Sequence, residues 1–325
     1  MHVSWSELYW QRLTPLHAIL WPLSIIFELS FKLKRTAYHY GLLATTRYPI
    51  PLIIVDGITV NGIEKSALTI WLVNFLSSNG LRPAVITCSY SDNYQEFPTE
   101  VTTSSDKTQV GDNALFLAFH CSKQNCPVWI GQDSSTVGLD LLKANPDRNV
   151  LICDGGLHDY RLHRDLEILV LDTDKYYFGN GFTLPAGPLR DNLTRLNFAD
   201  AIVLNEKNRQ SFDQVDSSKI YYVKTNSSEF INHYHTSDYL KKITTTGQKS
   251  HAIASNRFSR RFYDQLSYLN ITVSKQSILN ESQFTKRYID SLNADNILIK
   301  EEDAVRCLNF IDERFWILKE SIVAN

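Results

Sequence analysis

Residues 52–66 hold the first pattern in this sequence that points to chemistry. The apolar run at 52–55 is followed by a polar turn with Gly62, and then by Lys65 and Ser66 at the start of an apolar, helix-like stretch. In a phosphate-binding loop, backbone N–H groups and the amino end of the next helix face the phosphates. The lysine reaches the β- and γ-phosphates, and the hydroxyl binds Mg²⁺. The pattern therefore predicts a nucleotide site that contains Lys65 and Ser66.

This loop departs from the usual pattern, which has glycine at both ends of its four-residue spacer. Thr59 and Glu64 stand at those two positions. Glycine before the lysine lets the backbone lie against the phosphate, whereas a glutamate adds bulk and a negative charge beside another anion. On this window alone, a chance similarity remains the alternative. The residues predicted to bind ATP are Thr59, Val60, Asn61, Gly62, Ile63, Glu64, Lys65 and Ser66.

A second apolar run, at residues 150–153, ends in Asp154. A buried strand that ends in a carboxylate is the arrangement of the Walker B element, in which the acid holds Mg²⁺. A turn or a helix cap is the alternative role for a single aspartate. Ser66 and Asp154 are thus the predicted metal ligands, with ATP and Mg²⁺ as the cofactors.

Apolar strands alternate with helix-like segments over much of the chain, which implies a mostly parallel sheet with right-handed crossovers. The predicted fold class is α/β: a P-loop NTPase-like, mostly parallel sheet flanked by helices, a second smaller α/β domain, and an N-terminal membrane-facing helix. The predicted domains are a helical arm at 1–48, a nucleotide-binding domain at 49–172 and a C-terminal α/β domain at 173–325. Residues 89–106 are predicted to be a loop, and residues 206–248 show no pattern. The predicted strands are 52–55, 83–88, 127–130, 150–154, 166–172, 199–205, 251–255, 297–300 and 315–318.

Composition sets the class of protein. The 325 residues are 43% hydrophobic and 21% charged, as in a soluble globular protein with room for two domains. A net charge of −2 gives no electrostatic signature for nucleic-acid binding, so no nucleic-acid partner is predicted. The five cysteines show neither a C-x-x-C pair nor zinc-type spacing. They are predicted to be reduced, mostly buried thiols in a cytosolic protein.

Residues 16–31 are strongly apolar, and three basic residues lie within 32–35. The stretch is predicted to be too short and too interrupted to span a bilayer, and no signal-peptide cleavage site follows it. An apolar helix with a basic end can lie in the headgroup region of an anionic membrane. The alternative is an ordinary packed helix with a solvated basic end.

Several segments together resemble one family, the tetraacyldisaccharide 4′-kinases of lipid A biosynthesis. FGNG at 178–181 and LPAGPLR at 184–190 are similar to that family's FGNG…LPAGPLRE loop. DGGLHDYRL at 154–162 resembles its DDGLQHYRL segment, the pair at 111–112 resembles the start of its GDEP, and DAVR at 303–306 resembles its KDAVK. The apolar N-terminal arm also resembles the family's membrane-facing helix. The resemblance covers nearly the whole chain, in order.

The resemblance implies a reaction, in which the γ-phosphate of ATP passes to the 4′-hydroxyl of a tetraacylated glucosamine disaccharide 1-phosphate. The implied partner is this lipid A precursor, met at the cytosolic face of the inner membrane of a Gram-negative bacterium. Lys65 would hold the β/γ-phosphates, and Asp112 would be the catalytic aspartate beside the acceptor hydroxyl. Asn180 and Arg190 would contact the acceptor or its 1-phosphate.

The departures from the family pattern cluster at the site. Glu64 and Asn61 replace loop glycines, Gly155 replaces the second aspartate of DDG, and Phe258 stands where the family has a histidine. Further differences are Cys88, Ser91, Asp92, His158 and Asp159. Two interpretations remain open: an active kinase with a divergent site, or a non-catalytic lipid-binding or scaffold relative. A soluble P-loop protein with another substrate is a third. Glu64→Gly should raise ATP affinity if the kinase interpretation holds.

Overall fold

The computed structural model describes residues 10, 13–60, 65–87, 97–171, 178–205, 216–226, 229–232, 249–255 and 259–324. These residues form two compact units. The larger unit reaches to Lys224 and also contains residues 322–324, and the smaller unit is Thr225–Ser321.

The described part of the larger unit forms a nine-stranded sheet with the order β14-β8-β7-β6-β1-β5-β2-β4-β3. The six neighbouring pairs from β8 to β4 are parallel, and β3 pairs antiparallel with β4. The strands β1, β2 and β5 are buried at every residue, as their continuous apolar sequences require. The strands are β1 Leu52–Asp56, β2 Pro83–Thr87, β3 Thr99–Val101, β4 Val128–Ile130, β5 Val150–Asp154, β6 Leu166–Leu171, β7 Ala201–Asn205, β8 Ile220–Asn226 and β14 Ser321–Ala324.

The α-helices of this unit are α1 Pro15–His39, α2 Lys65–Ser78, α3 Lys107–Val110, α4 Asp112–Cys121 and α5 Ser134–Ala144. Short 3-10 helices occupy Ser122–Gln124, Leu193–Phe198 and Ser217–Lys219. Helix α2 ends at Ser78. Gly80 follows it with a φ of +78°, which suits glycine, and the Leu81 N–H bonds back to the Leu76 carbonyl at 3.0 Å.

The described part of the smaller unit has a five-stranded sheet with the order β11-β10-β12-β13-β9, parallel except for β9. Its strands are β9 Phe230–Ile231, β10 Ser250–Ser255, β11 Lys275–Leu279, β12 Asn296–Lys300 and β13 Phe315–Leu318. Its helices are α6 Ser259–Tyr268, α7 Lys286–Asp290 and α8 Glu301–Ala304, with 3-10 turns at Glu281–Gln283 and Val305–Phe310. Two parallel sheets flanked by helices confirm the predicted α/β fold class.

The structure differs from the predicted elements in the polar segments. Strand β3 lies within the segment 89–106 that was predicted to be a loop, and β8 and β9 lie within 206–248. Short edge strands and strands with polar residues carry little apolar periodicity, so the sequence pattern did not reveal them. The sheet of the larger unit continues past residue 172 through β7 and β8. The four described cysteines are buried and form no disulfide with one another.

Candidate functional site

The site lies at the carboxyl edge of the central strands of the larger unit. Strand β1 lies between β6 and β5, and Val55 pairs in register with Asp154. Asp56 and Asp154 therefore end two neighbouring parallel strands at the same edge. Their exposures are 1% and 0%. Ligands of open α/β sheets bind at this edge of the strands, so the topology brings the predicted metal ligand to the expected place.

Asp154 is held by side chains from three helical positions. Ser66 Oγ donates to Asp154 Oδ2 at 3.2 Å, and Thr69 Oγ1 donates to Oδ1 at 3.2 Å. Asn113 Nδ2 donates to Oδ2 at 2.7 Å, and its Oδ1 accepts from Ser66 Oγ at 2.7 Å. The helices α2 and α4 thus converge on the end of β5. Ser66 and Asp154, the two predicted Mg²⁺ ligands, lie within hydrogen-bond distance of each other.

These residues fit a magnesium ion. A hydroxyl and a carboxylate are the hard oxygen ligands that Mg²⁺ prefers, and Mg²⁺ is commonly held by one or two carboxylates together with substrate phosphates. Within the described ranges there is no cluster of three or more His, Cys, Asp or Glu side chains that would form an all-protein metal cage. The donor set around Asp154 therefore suits a cation that is shared with nucleotide phosphates.

Asp56 links the base of the predicted loop to Arg190. Arg190 Nη1 and Nη2 lie 3.3 Å from Asp56 Oδ1 and Oδ2. The N–H groups of Gly57 and Leu157 also donate to this carboxylate, at 2.8 and 3.0 Å. Burial alone would raise the pKa of Asp56, but Arg190, the nearby Lys65 and the two N–H groups hold that pKa below its ordinary value.

Lys65 begins helix α2, and its charge acts on Asp56 at the end of β1. This is the position that the predicted strand-loop-helix context requires. Before it in the chain, Thr59 is 1% exposed and bridges antiparallel to Leu189, while the Val60 N–H donates to the Pro188 carbonyl at 3.0 Å. The other predicted ATP-binding residues, Asn61, Gly62, Ile63 and Glu64, lie outside the described residues.

Asp112 lies in the first turn of helix α4, after Gly111 with a φ of +78°. The next residue, Asn113, donates to Asp154, the predicted metal ligand, so Asp112 is adjacent in the chain to a residue that contacts that carboxylate. A carboxylate in the first turn is also favourable to the helix, because it faces the positive end of the helix dipole. Its role as the catalytic base stays a prediction.

The loop at residues 178–192 is closed by its own polar groups. Asn180 Nδ2 donates to the Ala186 carbonyl at 2.8 Å, and its Oδ1 accepts from the Phe182 N–H at 3.1 Å. A Cβ at Gly187 would lie 2.2 Å from the Phe182 carbonyl oxygen and 2.3 Å from Asn180 Oδ1, so only glycine fits there. The Leu184-Pro185 peptide bond is cis. Asn180 thus shapes the loop, and its predicted contact with the acceptor stays a prediction.

Arg190 is joined to a buried acid-base cluster beside this loop. Its main-chain N–H donates to the Ile58 carbonyl at 2.7 Å, which fixes the loop to the chain after β1. Its Nη2 lies 3.3 Å from His158 Nδ1, and His158 Nε2 lies 3.4 Å from Asp191 Oδ2. Burial alone would raise the pKa of Asp191, but His158, the Asn192 N–H and Arg195 lower it.

Helix α1 packs on the rest of the larger unit through a buried serine. Ser24 is 2% exposed. Its hydroxyl donates to the Thr183 carbonyl at 2.9 Å and accepts from the Ala186 N–H at 3.0 Å. The helix is therefore fastened directly to the loop that carries Asn180 and Arg190.

The docked face of α1 continues toward its carboxyl end. Glu28 accepts from Asn192 Nδ2 at 3.1 Å, and the Arg35 guanidinium lies 4.4 Å from the centre of the Phe198 ring. These positions follow Ser24 at helical spacing, so one stripe of α1 faces the protein. Lys32 pairs with Glu28 at 2.6 Å. Of the three basic residues predicted to face headgroups, two therefore also make contacts with this protein's own side chains.

The opposite face of α1 is apolar and exposed. Ile19, Ile26 and Leu33 recur every seven residues, and their exposures are 69%, 63% and 70%. Ile26 lies about 200° around the helix from Ser24. Other exposed apolar residues of α1 are Leu16, Trp21, Leu23, Ile25 and Leu29. A large exposed apolar surface of this kind marks an interaction site.

Helix α1 is longer than the predicted stretch at 16–31. It has 25 residues, which rise roughly 37 Å, and it continues through Pro22 to His39. Among the described residues it is the one helix long and apolar enough, by length and composition, to cross a membrane. The prediction that this segment is too short to span a bilayer was therefore wrong, because the helix extends beyond residues 16–31 at both ends. The helix is docked along one face on the rest of the larger unit.

The segment 303–306 of the smaller unit has a structural role within that unit. Asp303 is fully buried, accepts from the Ser255 N–H at 2.8 Å and pairs with Arg306. Burial raises the pKa of Asp303 even though Arg306 opposes the shift. Phe258, predicted to replace the family's histidine, lies outside the described residues.

Three residues of the site were not identified from the sequence: Thr69, Asn113 and Asp56. Thr69 and Asn113 carry no motif and reach Asp154 only because two helices converge there. Asp56 did carry a signal, since it directly follows the apolar run at 52–55 and so ends a buried parallel strand.

Comparisons with known proteins identify the family of this chain. A family model described as Tetraacyldisaccharide-1-P 4′-kinase matches residues 16–324. The tetraacyldisaccharide 4′-kinase of Nitrosomonas eutropha is 38% identical over 98% of this chain and 80% of its own length. That of Nitrosococcus oceani is 35% identical over 95% of this chain and 87% of its own length.

A solved structure shows the same fold. LpxK from Aquifex aeolicus, crystallised in complex with ATP, matches with a TM-score of 0.78 over 95% of both chains, at 21% sequence identity. The family match over nearly the whole chain confirms the resemblance seen in the sequence. This chain therefore belongs to the tetraacyldisaccharide 4′-kinase family, the ATP-dependent kinases of lipid A biosynthesis.

Proposed function

We propose that this protein transfers the γ-phosphate of ATP to the 4′-hydroxyl of a tetraacylated glucosamine disaccharide 1-phosphate, at the cytosolic face of the inner membrane. The observation that carries the proposal is the 3.2 Å contact between Ser66 Oγ and Asp154 Oδ2. It joins the predicted phosphate loop to the predicted metal-binding acid at the edge of the sheet where nucleotides bind.

Phosphoryl transfer depends mostly on positioning and on charge neutralisation. Lys65 is proposed to hold the β- and γ-phosphates at the amino end of α2, where the helix dipole also favours an anion. Ser66 and Asp154 would hold Mg²⁺. When bound, that ion neutralises charge on the β- and γ-phosphate oxygens. Asn113 and Thr69 hold the Asp154 carboxylate in place through their hydrogen bonds.

Asp112 is proposed to be the general base. The acceptor 4′-oxygen forms a bond to the γ-phosphorus, the bond from that phosphorus to the bridging β–γ oxygen breaks, and ADP leaves. The proton of the 4′-hydroxyl passes to the Asp112 carboxylate. A base within hydrogen-bond reach of the hydroxyl contributes typically about 10²- to 10⁴-fold to the rate.

Helix α1 is proposed to bring this site to its lipid acceptor. Its exposed apolar face would lie in the headgroup and acyl boundary, while its opposite face stays fastened through Ser24 to the loop of Arg190. An acceptor with four acyl chains is itself held in the membrane. A helix that carries the loop to the membrane surface therefore suits such a substrate.

Nucleotide binding by the purified protein separates the kinase from a non-catalytic relative. We expect Mg·ATP to raise the thermal unfolding temperature saturably, as a ligand that binds the folded state does. Lys65→Ala should abolish this rise, whereas Lys143→Ala, which removes an exposed lysine of α5, should keep it. Absence of any shift at millimolar Mg·ATP would favour the non-catalytic interpretation.

A further inference from the structure

His158 lies between Arg190 and Asp191, in a position that neither the sequence motifs nor the proposed reaction uses. Its side chain is 12% exposed, and the edge of its ring meets the Phe31 ring of helix α1, with 4.6 Å between centroids. Its two ring nitrogens face groups of opposite charge. Nδ1 lies 3.3 Å from Arg190 Nη2, and Nε2 lies 3.4 Å from Asp191 Oδ2.

The partners of His158 determine its tautomer. An arginine guanidinium only donates hydrogen bonds, so Nδ1 of His158 must accept and carries no proton in this arrangement. The proton of the neutral ring is then on Nε2, which faces the Asp191 carboxylate. The guanidinium of Arg190 is thus held between His158 and Asp56.

Protonation of His158 would change this arrangement. The cation carries a proton on Nδ1, so two donors and two positive charges would face each other across 3.3 Å. Arg190 would lose one of its two side-chain partners and be repelled, with Asp56 as its remaining acceptor in this cluster.

We propose that His158 is a positioning residue that holds the Arg190 guanidinium at the nucleotide edge only while its ring is neutral. The inference rests on the proposed function, because the consequence of moving Arg190 is a change in the transfer reaction. Loss of this acceptor, by a proton on Nδ1 or by substitution, would release Arg190 and slow the reaction.

Helix α1 and the turn of His158 itself also present side chains to the His158 ring. Helix α1 presents the uncharged Phe31, and its nearest acid in the stripe, Glu28, is engaged with Lys32 and Asn192. The turn of His158 itself contributes the Tyr160 ring, at 6.5 Å between centroids.

Arg195 follows the loop that carries Arg190 and Asp191, and its Nε lies 3.8 Å from Asp191 Oδ2. Strand β1 contributes Asp56, which Arg190 separates from the ring. The side chain of Arg190 is therefore the cation that lies nearest to Nδ1 of His158 among the groups named here.

His158→Gln tests this inference, because a glutamine amide can accept from Arg190 and donate to Asp191 yet does not titrate. The measurement is kcat/KM for the lipid acceptor at pH 7.5 and pH 5.5, with Mg·ATP saturating. We expect the ratio of the pH 7.5 value to the pH 5.5 value to be larger in the wild type than in His158→Gln, because the glutamine amide cannot gain a proton. The half-exposed His163 of the same loop supplies the control, and His163→Gln should keep the wild-type ratio.

A second measurement does not depend on activity. Nitrogen-15 NMR of histidine-labelled wild type, with the His158 signals assigned by their loss in His158→Gln, reports the ring tautomer. We expect an unprotonated Nδ1 and a protonated Nε2 at pH 7.5. A proton on Nδ1 at that pH, or the same pH ratio in wild type and His158→Gln, would overturn the inference. Absence of transfer by the wild type at both pH values would instead overturn the proposed function, while the tautomer would still report on the geometry.

Discussion

Ser66 Oγ lies 3.2 Å from Asp154 Oδ2, although 88 positions separate the two residues in the chain. The parallel pairing of β1 with β5 places the end of β5 beside the start of the segment that leads to Ser66. This contact is retained in a chain whose preceding loop has lost glycines from the usual pattern. It shows that the sheet and helix α2 can position the two residues proposed to bind Mg²⁺.

The hydrogen bonds to Asp154 predict the effect of Asp154→Asn. Ser66, Thr69 and Asn113 all donate to its two oxygens, so an amide nitrogen at either position would face a donor. We expect Mg·ATP binding to weaken by at least about tenfold, with a smaller effect on ATP in the presence of a chelator. Calorimetric titration with and without Mg²⁺ measures both.

The control for this substitution is Asp140→Asn, on the exposed side of helix α5, where the carboxylate pairs with Lys143. It should leave both affinities at the wild-type value. Equal losses of affinity with and without Mg²⁺ in Asp154→Asn would show that Asp154 is structural and not a metal ligand.

The charge on Asp56 predicts a pH-dependent contribution to stability. Burial alone would raise the pKa of Asp56, but Arg190, Lys65 and the N–H groups of Leu157 and Gly57 together make it lower in the folded chain than in the unfolded chain. A lowered folded-state pKa stabilises the fold above the unfolded pKa, and that contribution is lost as the pH falls through the folded pKa. The unfolding free energies of wild type and Asp56→Asn should therefore differ most above about pH 5 and converge below about pH 4.

Urea unfolding followed by circular dichroism between pH 7 and pH 3 measures this difference. A difference that stays constant over the whole range would mean that the ionised carboxylate does not contribute to the stability of the folded state.

The strands that could be predicted from the sequence are those with continuous apolar runs. Strands β1, β5 and β6 are buried along nearly their whole length and were predicted within one residue at each end. Strand β3 has a half-buried threonine, an exposed glutamate and one buried valine, so it had no recognisable pattern. It exists because its neighbour β4 offers an edge to pair with.

The site was predictable only where a residue type has a fixed place in a motif. Lys65 and Ser66 follow from the order of a strand, a loop and a helix. Asp154 follows from a buried strand that ends in an acid. Asn113 and His158 do not, because their roles depend on which side chains the fold brings within 3.5 Å. Such contacts join residues that are 41 and 32 positions apart, and no local pattern records them.

The hydrogen bonds of Ser24 predict how much the docking of helix α1 contributes to the free energy of unfolding. Ser24→Ala removes the acceptor of the Ala186 N–H and the donor to the Thr183 carbonyl, and both partners would stay buried without it. We expect a loss of about 1–3 kcal/mol in the free energy of unfolding. Ser30→Ala is the matched control, because the Ser30 hydroxyl is exposed and bonds to Phe27 of its own helix. A loss of equal size in the two variants would contradict the docking role of Ser24.

The exposed face of α1 predicts binding to lipid vesicles. Ile26→Asp places a charge in the middle of the apolar face, opposite the docked stripe. We expect the fraction of protein that sediments with vesicles containing anionic lipid to fall severalfold, because the substitution replaces buried apolar area with a hydrated charge. Tyr268→Asp, at a residue of the smaller unit that is 78% exposed, is the control and should sediment as the wild type does. Equal sedimentation of wild type and Ile26→Asp would show that this face does not bind lipid.

Transfer of labelled γ-phosphate from ATP to a tetraacyldisaccharide 1-phosphate tests the central claim most directly. With Mg·ATP and the acceptor in mixed micelles, the wild type should form a product phosphorylated at the 4′-position. Asp112→Asn should slow its formation by about 100-fold or more while keeping the nucleotide-induced thermal shift. Asp106→Asn, at the exposed cap of helix α3, should retain the wild-type rate. If the wild type binds Mg·ATP and acceptor vesicles yet forms no 4′-phosphorylated product, this chain is not the kinase that its family and its site indicate.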